Sequence, residues 1–112
     1  MDTNQQIEQV IATCRDLFAK KLKDYGAAWR IMRPSSVTAQ IYIKANRIRS
    51  IETKGTTMVD EGVRSEFIGI VNYGIIALIQ LELGYAETDD MTPEAALAKY
   101  DEYAAKALNL MK

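Results

Sequence analysis

Phe67-Ile68-Gly69-Ile70-Val71-Asn72-Tyr73-Gly74-Ile75-Ile76-Ala77-Leu78-Ile79-Gln80-Leu81-Glu82-Leu83 is the stretch on which the fold turns. It runs for seventeen residues and is interrupted only by Asn72, Gln80 and Glu82 among its charged and amide side chains. A membrane crossing needs about 20 mostly apolar residues, and those polar positions argue further against lipid. The stretch reads as the second part of a buried helix that is apolar on nearly every side. Such a helix belongs at the centre of a bundle or at an interface between copies.

Working outward, this helix is expected to open near Asp60, which can cap it, and to stop at Gly84 in C′ fashion. Downstream, Thr92 followed by Pro93 announces another helix. It turns Ala96, Leu97, Tyr100, Ala104, Ala107, Leu108 and Met111 inward. Upstream, Ser35 or Ser36 can cap a helix that runs to about Lys54 with Val37, Ile41, Ala45, Ile48 and Ile51 as its inner stripe. Lys44, Asn46 and Arg47 face elsewhere, and Gly55-Thr56-Thr57 breaks it. The first helix opens at Thr3 with Gln6 completing a capping box. Its apolar positions Ile7, Val10, Ile11, Cys14, Leu17, Phe18, Leu22 and Tyr25 recur at helical spacing, and Gly26 ends or bends it. Residues 26–36 form a structured connection with one helical turn, and Pro34 keeps Arg33 out of helical geometry. No strand-like alternation of useful length occurs. The expectation is an all-α four-helix bundle, a single domain over 1–112 with helices at about 4–25, 37–54, 60–83 and 93–111.

At 112 residues the chain supports one core and not two. Its polar, acidic start does not resemble a secretory signal, and the lone Cys14 suits a reducing compartment, so a cytoplasmic protein is expected. Net charge is −1, yet residues 15–54 carry ten Lys/Arg against three acids (+7), while residues 60–102 carry ten acids against two bases (−8). With a pI near 5.4 the chain lacks the overall basic footprint of a nucleic-acid binder. The absence of histidine removes imidazole as base or metal ligand. Any chemistry must use carboxylates, lysine, tyrosine, or a metal held by oxygen atoms.

Four groups of residues invite a functional reading, and each has a structural one beside it. Lys23, Tyr25, Trp29 and Arg30 surround the Gly26 bend and could stack a base and hold a phosphate; equally, the aromatic rings could plug the end of the bundle. Lys44 and Arg47 share a helix face and could orient phosphates, or make solvated ion pairs. Asp60, Glu61 and Glu66 could hold magnesium through carboxylate oxygens, or Asp60 and Glu61 could simply favour the positive end of a helix. Asn72 lies amid apolar residues and needs a partner or a polar cavity, because an unsatisfied buried amide costs about 1–3 kcal/mol. Gly69 and Gly74, each costing about 1 kcal/mol in a helix, suggest that a neighbour approaches closely there.

These motifs together resemble the nucleotide modification associated domain 1 family of phages and bacteria. The resemblance rests on Lys23-Asp24-Tyr25-Gly26 with Trp29, on Lys44-x-x-Arg47, and on Asp60-Glu61 leading to Asn72-Tyr73. It includes the pattern Tyr-Gly-x-x-Trp-Arg-x-Met-Arg-x-Ser-Ser at 25–36, and it spans roughly residues 7–83. Some relatives look like tandem copies, so the chain is either a single unit or part of a longer protein. The resemblance implies a layout similar to MazG-like nucleotide pyrophosphohydrolases, which cut between the α and β phosphates with helix carboxylates and magnesium. Phage members commonly carry an aspartate where this chain has Gly69, and a glycine offers magnesium no side-chain ligand.

The expected function is therefore nucleotide binding of MazG-like type, extending to magnesium-dependent pyrophosphohydrolysis. Lys23, Tyr25, Trp29, Arg30, Lys44, Arg47, Asn72 and Tyr73 would face the nucleotide, and Asp60, Glu61 and Glu66 the metal. A non-catalytic nucleotide-binding module and a helical interaction module are the alternatives. A symmetric homodimer is expected to cover what a single bundle leaves bare of its apolar helix.

Overall fold

The computed structural model describes residues 2–54 and 59–111, with the side chains at 54, 59–61 and 111 outside the description. The expected break at Gly55-Thr56-Thr57 thus lies outside the described residues. Four α-helices are present, α1 (Thr3–Tyr25), α2 (Pro34–Lys54), α3 (Val59–Leu83) and α4 (Pro93–Met111), with a 3-10 turn at Ala28–Ile31. The described residues contain no strand.

Local chemistry sets the helix ends. The α1 cap is Asp2 rather than Thr3: its carboxylate accepts from the Gln5 N–H (2.8 Å), and the Gln5 side-chain oxygen accepts from the Asp2 N–H (3.1 Å). The capping box is displaced by one residue, and the carboxylate also suits the positive helix end. At the far end Gly26 adopts φ 67°, a left-handed value that glycine tolerates and other residues seldom do. Helix α2 begins at Pro34 instead of after Ser35 or Ser36. Proline is pre-shaped for the first helical position, and the Arg33 carbonyl accepts the first intrahelical bond from Val37. Gly84 (φ 74°) follows α3, and the Thr92 hydroxyl accepts from the Ala95 N–H (3.1 Å), as the sequence leads one to expect.

Helix α3 is the centre: it packs against α1, α2 and α4, while α2 makes its main contact with α3. The core joins Phe18 and Leu22 of α1 and Val37 of α2 to Ile75, Ile76 and Ile79 of α3 and to Ala96 and Tyr100 of α4. The Phe18 and Tyr100 rings lie 4.4 Å apart. Three details differ from the sequence reading. Val10 and Tyr25 of α1 are exposed, because α1 buries only a narrow stripe through Cys14, Phe18 and Leu22. Ala45 is exposed while Lys44 is half-buried, so the inner stripe of α2 is 37, 41, 44, 48 and 51. That spacing of alternating fours and threes is the narrow seam of a helix packed chiefly on one partner. Nothing crowds Gly74, whose added Cβ would meet no atom within 4 Å.

By length and mean hydropathy, Gly62–Leu83 meets what a membrane crossing requires. Its buried polar side chains, Asn72 and Gln80, are nevertheless engaged inside the protein. Asn72 donates to the Cys14 carbonyl (3.1 Å) and accepts from the Tyr100 hydroxyl (2.7 Å), so both ends of the buried amide are satisfied. Burial pushes the Tyr100 phenol above its ordinary range and keeps it a donor. Gln80, also buried, donates to the carbonyls of Trp29 (3.2 Å), Arg30 (2.9 Å) and Met32 (2.6 Å). Phe67, Leu78, Leu81 and Leu83 remain exposed.

Candidate functional site

A cleft of about 380 Å³ opens between the C-terminal half of α1 with the following 3-10 turn on one side and α3 on the other. From α1 it takes Leu17, Phe18, Lys21, Leu22 and Tyr25, of which Leu17, Lys21 and Tyr25 are spaced by four and so share one face. The turn contributes Trp29, Ile31 and Met32, and α3 presents Ser65, Gly69, Asn72, Tyr73 and Ile76, again on one helical face. Lys44 is the one residue of α2 in the lining. The volume is within the range of about 300–1,000 Å³ usual for small-molecule pockets.

The local sequence explains the approach of α1 to the turn. Gly26 lets the chain reverse, and Asp89 fastens the reversal by accepting from the Ala27 N–H (3.1 Å). A Cβ on Gly26 would lie 2.7 Å from an Asp89 oxygen. Both its backbone angle and its surroundings therefore call for glycine. Trp29 sits just beyond this bend, 6.0 Å from the Phe18 ring. Its indole Nε1 is buried and has no hydrogen-bond partner, alone among the buried side-chain polar atoms of the described residues. Such an orphan donor is uncommon in a folded protein.

Lys44 owes its position to Gly69. A Cβ at residue 69 would lie 2.6 Å from Lys44 Cδ and Cε, so the missing side chain is the groove through which the lysine stem passes. Its ammonium lies 3.5 Å from Glu66 and 5.9 Å from the Tyr73 ring centroid. Arg47, one turn further along α2 and largely exposed, approaches the same carboxylate at 3.8 Å. Lys44, Arg47 and Glu66 thus converge directly on one another across the α2–α3 seam. Both ion pairs are longer than a well-formed charged hydrogen bond of about 2.7–2.9 Å.

Of the residues proposed from sequence to face a nucleotide, Tyr25, Trp29, Lys44, Asn72 and Tyr73 line this cleft, and Arg47 flanks it through Glu66. Lys23 does not line it; the lysine that does is Lys21. The i, i+4 relation of Lys21 to Tyr25 was the available signal, since a residue two before Tyr25 points elsewhere. Ser65, one turn before Gly69, was likewise missed. Arg30 does not line the cleft either. It is 4% exposed and faces the far end of α3, donating through Nε to Asp90 (2.9 Å) and through Nη1 to the Gly84 carbonyl (2.7 Å) and to Gln80. The Arg30 carbonyl in turn accepts from the Ala86 N–H (2.8 Å), which clamps the 3-10 turn to the loop after α3. The Arg30 hydrogen bond holds the Asp90 carboxyl below its usual range, because it favours the charged form. Asn72 lines the cleft with both polar groups already engaged, so its role there is to shape the wall.

The side chains of Asp60 and Glu61 lie outside the described residues, and Glu66 is committed to two cations. Among the described residues no three carboxylate, thiol or imidazole side chains gather as a metal site.

The sequence profile of nucleotide modification associated domain 1 matches residues 21–81, 61 of the 112 residues. The chain belongs to this family. The matched region begins at Lys21 and contains the Gly26 bend, Trp29, Lys44, Gly69 and Tyr73, so it covers nearly the whole cleft wall. No curated protein and no solved structure matches the chain.

Proposed function

We propose that this member of the nucleotide modification associated domain 1 family binds a nucleotide in the cleft between α1 and α3. The observation that carries the reading is the composition of the wall. Aromatic side chains at Phe18, Tyr25, Trp29 and Tyr73 accompany two cations, Lys21 and Lys44, and among the described residues no carboxylate lines the cavity. Bases stack on aromatic rings with about 1–3 kcal/mol per base, and ammonium groups attract phosphate. The comparison with MazG-like proteins remains part of the proposal, supported by the four-helix order and by the meeting of Lys44, Arg47 and Glu66 across two helices.

The test is thermal stabilisation by a panel of nucleotides and nucleosides, with and without magnesium, followed by calorimetry on the best ligand. A ligand that binds the folded form raises the melting temperature as its concentration passes the dissociation constant. Stabilisation by nucleotides that is lost in Lys44→Met is expected. If no base, nucleoside or nucleotide shifts the melting temperature at millimolar concentration, the proposal is wrong. The same reading includes a homodimer, supported by the exposed Phe67, Leu78 and Leu81 of α3, and sedimentation equilibrium at micromolar concentration measures it.

A further inference from the structure

We propose that the cleft is built for a nucleoside monophosphate taken without a divalent cation, and that Glu66 is its built-in competitor for Lys44. The inference rests on the nucleotide reading above and narrows it. Charge comes first. Among the described residues the lining carries two positive side chains, Lys21 and Lys44, and no negative one. A phosphate monoester carries about −1.5 to −2 at neutral pH, which two ammonium groups match. A triphosphate carries considerably more, and sites for it ordinarily add magnesium held by one or two carboxylates. Glu66 is held by Lys44 and Arg47, and the place above Gly69, where a carboxylate could have reached, is filled by the stem of Lys44. The cavity volume of about 380 Å³ is at the small end of the usual range.

Geometry then assigns Glu66. Lys44 lines the cleft while its ammonium lies 3.5 Å from Glu66, a pair too long to be a strong hydrogen bond. A phosphate entering beside Lys44 competes with that carboxylate for the same ammonium. Arg47 lies 3.8 Å from the other Glu66 oxygen, so Glu66 retains a cation when Lys44 turns to the ligand. Removing Glu66 and removing Arg47 must therefore act in opposite directions, although neither residue lines the cleft.

Calorimetric titration of the full chain with a nucleoside, its 5′-monophosphate and its triphosphate, each with magnesium and with chelator, tests this. The monophosphate is expected to bind most tightly and to be indifferent to chelator. Glu66→Gln should tighten monophosphate binding roughly three- to fivefold, the worth of a partly screened ion pair, and leave nucleoside binding unchanged. Arg47→Gln should weaken the monophosphate by a similar factor. Tighter binding of the magnesium triphosphate, or loss of monophosphate binding in chelator, overturns the inference and leaves the nucleotide reading standing. Equal or weaker monophosphate binding by Glu66→Gln overturns the competition. If none of the three ligands binds, the nucleotide reading itself falls.

Discussion

Arg30 and Lys44 meet their carboxylates in opposite ways. Arg30, at the C-terminal end of α3, is buried and spends its donors on Gln80, the Gly84 carbonyl and Asp90, and its carbonyl is taken by Gln80 and Ala86. Lys44, near the other end of α3, is half-buried and makes one long pair with a carboxylate that it shares with Arg47. A satisfied polar network fixes a chain, whereas a partly satisfied one can exchange partners. The first end of the molecule holds the fold, and on the proposed reading the second recognises the ligand.

The largest expected effect is at Arg30. Arg30→Ala leaves buried Gln80 without its charged donor, and hydrogen bonds to charged groups are worth about 1.5–3 kcal/mol. A loss of about 2–3 kcal/mol is expected, read as a lower urea midpoint at unchanged slope. Lys44→Met should cost less than half of that, because its pairs are long and partly screened. Equal costs would erase the distinction between the two ends.

Next comes Gly26, whose φ lies in the left-handed region. A non-glycine residue there costs roughly 1–3 kcal/mol. Its Cβ would also press on Asp89. Gly26→Ala is expected to lower stability by about that amount and to weaken any cleft ligand as well, since Tyr25 and Trp29 flank the bend. Full ligand affinity in a destabilised Gly26→Ala protein would show that the bend serves the fold alone.

Acidification has a smaller effect with a definite sign. The Asp90 carboxyl is held low by Arg30, and Glu82 is held low by Lys99 and by the Tyr103 hydroxyl. Groups with depressed folded values stabilise above their unfolded values, and that contribution fades as pH falls through the folded ones. Stability should thus be level near neutrality and decline below about pH 4, the ordinary carboxylate range. Asp90→Asn should flatten part of the decline, and an unchanged acid profile in that variant would remove Asp90 from the account.

Helix ends were legible because their chemistry is local. Gly26, Gly84 and the Thr92-Pro93 pair each announce themselves within a few residues, and the Thr3 cap erred by one position because Asp2 and Gln5 offer an equivalent pair. Charged residues inside the fold were harder to read. The partners of Arg30 lie 50 to 60 residues away in Gln80, Gly84 and Asp90, so nothing near Arg30 distinguishes it from a phosphate ligand. Lys44 occupies a seam position between Ile41 and Ile48, yet a lysine there reads as solvent-facing until Gly69 supplies the gap. Asn72 was the exception: its apolar flanks alone required buried partners, and it has them.

The smallest change should give the sharpest separation of stability from recognition. Gly69→Ala adds one methyl group to a helix interior, where alanine is favoured over glycine by about 1 kcal/mol. That methyl would lie 2.6 Å from Lys44 Cδ and Cε, but the lysine stem is flexible and only half-buried, so the clash resolves by swinging Lys44 out of the groove. The ammonium then leaves both the cleft and Glu66. Stability should remain within about 1 kcal/mol of the parent or rise slightly, while phosphate-bearing ligands weaken nearly as much as in Lys44→Met and nucleosides are unaffected. Gly69→Asp sharpens the contrast, because a carboxylate there both displaces the stem and attracts its ammonium. If Gly69→Ala keeps full nucleotide affinity, the groove is a packing detail and the position of Lys44 above Gly69 has no bearing on recognition.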